Sequence, residues 1–503
     1  WESTPNMGLC EKISSDAGIL FGRTLQLFAG KTPMGFHIRR GSVFLTQLRL
    51  QWVKLQEIYT QKQIATSQSV GQTAWEPPLV VQLLGSEDNV VGPDDGIDIV
   101  TGQDFIYLDM PFTDHEDITN LEAPPQQGGV PLCPKSVARY KVFKEALTAS
   151  RIKLQQIDMT VEDAMLPPPD LTVTDVVFVV HGIRDRGFWT KKIGNRVVQR
   201  FDQLAQAHIP TPGVQPPKAA MVTSTYGYFP MLPFLFSEER RLHVRWLMRQ
   251  YARTRALFPK ADFHYVGHSN GTFLAAMALQ EYPACRFSRI VFAGSVVNGY
   301  YNWKRLVKEG KIDAMLNYTA TGDLVVAWFP NIYQCLGSRE LGGGGHDGFR
   351  DMSPTGKLES FPQQGWRMLC AIRWPWSKAV AGAVAGAAAN SGAPPPIAGT
   401  VDSNGNLHQL RYITGGHGSG ITESRWDEIA DFVATKTVPL PHTTGMAPDR
   451  KFWIVWASFP PFPVWLGAIG LTLGVLWLIW WLTHSPAILI IVIYLIYLAL
   501  ISF

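Results

Sequence analysis

From residue 175 to about 435 the chain alternates short apolar runs with amphipathic segments, and this alternation restricts its fold more than any other feature. The runs lie at 176–180, 219–223, 263–266, 290–293, 315–319 and 410–413. Helical patterns occupy 190–207, 237–257, 270–280 and 422–434. A run such as VVFVV at 176–180 has no polar alternation, so both of its faces must be covered. Strands of that kind alternating with helices predict an α/β fold, a mostly parallel sheet with helices on both faces. Such sheets place their sites in the loops at the carboxyl ends of the strands.

The loop after the third run reads Gly267-His268-Ser269-Asn270-Gly271 and opens a helical pattern. A serine hydroxyl is a weak nucleophile and has to be presented on a sharp turn, clear of its neighbours. The turn brings strand and helix so close that side chains two positions before and after the serine would collide. Gly267 and Gly271 fit that need. The first run leads directly into His181-Gly182-Ile183. The backbone N–H of Gly182 or Ile183, with that of Asn270, could face one developing oxyanion. Asp323 follows NYTATG at a strand end, and His417 follows YITGG at another. Asp347 and Asp313 compete with Asp323 for the acid, and His346 and His268 compete with His417 for the base. His268 adjoins the nucleophile, so its side chain points away from it and lines the site, and His181 positions the oxyanion loop.

With the motifs VVFVVHG, FHYVGHSNG, NYTATGD and YITGGHG, residues 175 to about 435 resemble the α/β-hydrolase superfamily, and most of all its lipase and esterase members. The resemblance covers a little over half of the chain. It implies Ser269 as nucleophile, His417 as general base and then acid, and Asp323 as the acid that orients it, in the chain order Ser, Asp, His. It implies no metal and no cofactor.

The C-terminus is apolar in a different way. Residues 464–483 run for twenty positions without a charge, and after His484-Ser485-Pro486 the stretch 487–503 adds seventeen more. A bilayer core of roughly 30 Å needs about 20 helical residues, so this predicts a transmembrane helical hairpin. The second arm could instead lie in the interface or pack on a membrane-protein partner. Trp465, Trp477, Trp480 and Trp481 suit interfacial belts, and Arg450 and Lys451 precede the first span. The positive-inside rule then puts the hydrolase domain on the cytoplasmic side. The first residues, WESTPNMGLCEKISSD, contain no basic stretch followed by an apolar run, so no signal peptide is expected from them.

Three regions result: an N-terminal extension at 1–170, a hydrolase domain at 171–440 and a membrane anchor at 441–503. In the extension, Phe44, Leu45, Leu48, Trp52, Leu55 and Tyr59 recur at helical spacing and predict an amphipathic helix that packs. Residues 63–134 contain no Lys or Arg but many acids, read as a solvated acidic face; GPDDGID lacks the spacing of a calcium-binding EF-hand loop. Residues 124–134 and 167–169 read as linkers. Within the domain, 93 residues separate Asp323 from His417. The excess predicts a lid-like insertion at about 336–405, with Trp366, Trp374 and Trp376 as candidate lid or interfacial residues. Arg241, Arg245, Arg249 and Arg253 form a stripe at four-residue spacing. That stripe could meet anionic headgroups, pair with the acidic segment or face water.

Composition excludes other classes. Charged residues make up 17% of the chain and aromatics 12%, the reverse of a disordered composition. The five cysteines stand singly, so neither a disulfide scaffold nor a zinc finger is supported. A net charge of +4 does not argue for nucleic acid. The expectation is a membrane-anchored serine hydrolase cleaving an ester, most plausibly of a lipid. The competing class is a catalytically silent hydrolase fold serving as a subunit of a membrane assembly.

Overall fold

The structure is a computed structural model. It describes residues 41–67, 75–86, 105–114, 117–124, 133–158, 167–185, 187–207, 215–320, 322–335, 337–349, 407–439 and 462–483, with positions 490–492 and 494. The chain divides into two units, one of 1–171 with 248–260 and one of 172–247 with 261–503.

The first unit contains α1 (Val43–Ser67), the parallel strands β1 (Val80–Gly85) and β2 (Phe105–Met110), α2 (Pro134–Thr148) and α3 (Arg151–Gln156). Ile106, Leu108 and Leu154 form its small core, with Val81, Leu83 and Val142 packed against them. Two expectations change here. The predicted N-terminal helix forms, but Val53 and Thr46 are its buried residues, while Phe44 and Leu48 are exposed. Pro134 is not the end of a linker but the first residue of α2, where a missing N–H costs nothing.

The second unit is built on β3 (Asp175–Val180), β4 (Ala219–Val222), β5 (Asp262–His268), β6 (Phe287–Ala293), β7 (Ile312–Ala320) and β8 (Leu407–Ile413). They form one sheet in the order β4-β3-β5-β6-β7-β8, and every pairing is parallel. This is the expected α/β architecture, and the buried pattern of β3 shows why its sequence reads as a continuous apolar run. Helix α4 (Thr190–Gln206) buries Ile193, Val197 and Phe201, spaced four apart along one face. Helix α5 (Ser237–Leu257) follows β4. Helix α6 (Asn270–Glu281) buries every residue from Asn270 to Leu279, which is why NGTFLAAMAL carries no polar stripe. Helix α7 (Trp426–Thr435) packs Ile429, Phe432 and Val433 into the same core as the α4 residues. Arg196–Asp427 and Arg200–Asp431 ion pairs link α4 and α7 at the surface.

The chain leaves β3 toward β4 on one side of the sheet and returns to β5 on the other. The strand order therefore reverses between β3 and β5, and the crevice outside their carboxyl ends is the topological switch point. Gly182 follows one of these strands and Ser269 the other.

The insertion expected at 336–405 is not a lid from its start. Residues 337–349 fold into the sheet unit: Leu341, His346 and Phe349 are buried, Val297 and Leu341 form a β-bridge, and the Gly345 N–H donates to the Ser295 carbonyl. The four glycines at 342–345 permit this close approach, since a Cβ on Gly345 would sit 2.3 Å from Ser295 N. Trp366, Trp374 and Trp376 lie outside the described residues.

Among the described residues no helix is long and apolar enough to cross a membrane. Phe462–Thr483 forms a 22-residue helix, α8, with no charged residue. The expected turn at 484–486 and most of the second arm, 487–503, lie outside the described residues.

Candidate active site

Ser269 stands between β5 and α6 with φ 53° and ψ −119°. A residue with a Cβ pays roughly 1–3 kcal/mol for such a backbone, and only surrounding contacts hold it there. The Ser269 N–H donates to the Ala293 carbonyl (3.1 Å), and Thr272 bonds the Ser269 carbonyl through both its N–H (2.9 Å) and its hydroxyl (2.7 Å). The Tyr265 hydroxyl donates to the Gly271 carbonyl at 2.7 Å. Both glycines of the motif are sterically required. A Cβ on Gly271 would lie 2.5 Å from the Val180 carbonyl oxygen, and one on Gly267 would lie 2.7 Å from the Tyr265 ring. The serine side chain does not cap α6, so its hydroxyl is left free of that task.

Asp323 caps the helix Leu324–Trp328, with Oδ1 accepting the Val326 N–H at 3.0 Å. Both carboxylate oxygens also lie within reach of His417 Nδ1, at 3.1 and 3.0 Å. A carboxylate only accepts, so Nδ1 carries the proton. Burial by itself pushes the Asp323 pKa up, but the His417 imidazole, its hydrogen bond and the helix N–H outweigh it and hold the carboxyl below its usual range. The loops carrying the pair are tied together, with the Gly322 N–H donating to the Gly415 carbonyl at 2.8 Å. Gly294 makes room for the imidazole: a Cβ there would lie 2.8 Å from His417 Cε1. Of the competing residues, Asp347 pairs with His346 at 3.9 Å and not with His417.

His268 lies against this pair. Its ring is 4.7 Å from that of His417, and its Nε2–H donates to the His417 carbonyl at 3.3 Å. Burial, with His417 alongside, pushes its pKa down to about 3, so the ring is neutral. Ser269 Oγ makes no hydrogen bond to His417 in this arrangement. Catalytic hydrogen bonds are often long before substrate binds and tighten in the complex.

Gly182 lies across the crevice, and a Cβ on it would sit 2.6 Å from Ser269 Cβ and 3.1 Å from Ser269 Oγ. Gly182, Ile183 and Asn270 donate no backbone hydrogen bond among the described residues. Gly182 packs against the serine, Ile183 follows it in the chain, and Asn270 opens α6, whose N-terminus favours negative charge. His181 Nδ1–H donates to the Gly182 carbonyl at 2.8 Å, and Nε2 accepts from the Thr225 hydroxyl at 2.6 Å. Burial lowers its pKa and keeps it neutral, as a positioning role needs.

Sequence reasoning did not find Thr225, Tyr226 or Gly294. The first two follow β4 at the carboxyl edge of the sheet, so the rule that places sites there was the available signal. Among the described residues no group of three or more His, Cys, Asp or Glu side chains converges as a metal site. Arg241, the first of the arginine stripe, is committed to Glu281 and Glu340. Comparison with protein-family models and with curated proteins finds no match to this chain.

Proposed function

We propose that the second unit is an α/β-hydrolase and that the protein is a serine hydrolase cleaving an ester through an acyl-enzyme on Ser269. The observation that carries this reading is the Ser269 elbow, with Gly182 packed against it and with the half-buried His417 held by the buried Asp323 at the carboxyl edge of the same sheet. Ser269 Oγ attacks the ester carbonyl as His417 Nε2 takes its proton. The N–H groups of Asn270 and of Gly182 or Ile183 hold the oxyanion. His417 returns the proton to the leaving alkoxide; a water then attacks the acyl carbon with His417 again as base, and the acyl–Oγ bond breaks as His417 gives that proton back to Ser269, releasing the carboxylic acid. Asp323 fixes the tautomer and offsets the imidazolium charge.

A lipid ester is the favoured substrate class. Phe188, Tyr228, Phe236, Tyr300 and Val325 are exposed on connections leaving the carboxyl ends of β3, β4, β6 and β7, the edge that bears Ser269. The uncharged α8 supports anchoring at a membrane, with the hydrolase unit on the cytoplasmic face by the Arg450–Lys451 pair. The second reading, a silent fold used as a membrane-assembly subunit, draws on the missing Ser269–His417 hydrogen bond. A fluorophosphonate probe separates the two. It should label the wild-type protein and not Ser269→Ala; no labelling of the wild type would leave the silent subunit.

A further inference from the structure

We propose that Thr225 and Tyr226, in the loop after β4, are positioning residues that set the oxyanion hole by fixing the two peptide planes beside Ser269. This inference rests on the serine-hydrolase reading. Gly182 packs against Ser269, and the two peptides that flank it, His181–Gly182 and Gly182–Ile183, have N–H groups that donate no backbone hydrogen bond among the described residues. In a planar trans peptide the C=O and N–H point in opposite directions. Whatever holds the carbonyl therefore aims the N–H.

Each carbonyl is held. The Tyr226 hydroxyl donates to the His181 carbonyl at 2.9 Å, which aims the Gly182 N–H. His181 Nδ1–H donates to the Gly182 carbonyl at 2.8 Å, which aims the Ile183 N–H. That second bond requires the proton on Nδ1, and the Thr225 hydroxyl secures it by donating to Nε2 at 2.6 Å. Both hydroxyls come from adjacent residues of one loop. The same loop anchors the next peptide, where the Arg184 N–H donates to the Phe229 carbonyl at 3.0 Å.

Tyr226 also reaches the other half of the hole. Its hydroxyl accepts from Asn270 Nδ2 at 3.2 Å, so one oxygen bridges the segment after β3 and the residue after the nucleophile. Its ring stacks on His181, with centroids 4.3 Å apart, and sits edge-on to His243 and Trp246, which fixes where the hydroxyl points. A hole whose donors must converge on one oxygen within a few tenths of an ångström needs such a brace.

The test is kinetic. Tyr226→Phe keeps the ring and removes the bridging oxygen; Thr225→Val keeps the volume and frees the His181 tautomer. Ester turnover, labelling rate with a fluorophosphonate, inhibition by a boronic acid and the thermal midpoint are measured on the full-length protein in detergent. A displaced donor is expected to lower kcat and the labelling rate roughly 10- to 100-fold. Boronate affinity should fall in parallel while KM changes little, since substrate binding does not use the oxyanion. If both variants fold and match the wild type in kcat and boronate affinity, the brace is wrong while the hydrolase reading stands. A variant that loses activity only in proportion to its folded fraction, with kcat per folded molecule unchanged, also overturns it. A wild type that neither labels nor turns over esters overturns the hydrolase reading, and the brace with it.

Discussion

At the scale of single residues the proposed mechanism separates groups that react from groups that hold them. Ser269→Ala removes the only atom that can carry the acyl group, so ester turnover should fall at least roughly 10³-fold with the fold intact, measured by turnover beside a thermal melt. Asp323→Asn leaves the packing but allows the wrong His417 tautomer, and kcat should drop by about 10⁴-fold. A variant with near-normal kcat would remove Asp323 from the machinery. His268 makes a prediction about stability. Its ring titrates at about 3 in the folded protein, against about 6.5 in an unfolded chain. Between those values the unfolded state binds a proton that the folded state refuses. Stability is thus fully present above pH 6.5 and is lost as pH falls toward 3, about 2 kcal/mol by pH 5 from this ring alone. His181 and His243, lowered by burial, act in the same direction. The depressed Asp323 contributes above its unfolded value of about 3.9 and loses that contribution only below it, so it is silent between pH 5 and 7. Urea unfolding at pH 7 and pH 5 should show a smaller difference for His268→Gln than for the wild type.

At the scale of elements the sequence was most informative where one face pattern fixes one structure. All six runs between 176 and 413 are strands of the sheet, and those of β3, β5, β6 and β7 were legible because both faces of these strands are buried, whereas β4 at the edge is half-exposed. The motif around Ser269 was legible because its glycines answer steric contacts, and Gly271→Ala should cost roughly 1–3 kcal/mol by forcing α6 off the Val180 carbonyl, read from the thermal midpoint. Other parts left no local trace. The six-residue strands β1 and β2 are half-buried or sit in an acidic stretch, so VVQLLG and FIYLDM carry no clear period. The short helices Trp303–Lys308, Leu324–Trp328 and Pro330–Cys335 are too brief for one to emerge. The glycine run at 342–345 falls in the expected lid-like insertion, yet it is folded in by side chains outside the run, with Asn317 Nδ2 donating to the Gly344 carbonyl and the Gly343 N–H donating to Gln334. Tyr226 was hidden for the same reason: its role depends on His181 and Asn270, about 45 residues away on either side.

At the scale of the whole molecule, the proposed reading divides the work between the sheet unit and the apolar C-terminus. The core around α4 and α7 draws on nothing after Val438 among the described residues. Deleting everything after Asp449 should therefore release a folded, active protein into the soluble fraction; a truncated protein that stays with membranes would assign the anchor to another segment. The substrate prediction follows from the same division. An enzyme held at a bilayer meets acyl chains, whereas a small soluble ester gains nothing from the tether. Each methylene of the acyl chain that leaves water for an apolar pocket contributes about 0.8 kcal/mol, close to a fourfold gain. For acyl esters of increasing length, kcat/KM should rise at about that ratio per carbon until the pocket is full and then level off. The full-length protein in detergent and the truncated one should share this slope, because it belongs to the pocket. Only the full-length protein should gain further when the same esters are presented in vesicles. A flat or falling series in both proteins would exclude an apolar acyl pocket and point to a small-ester substrate.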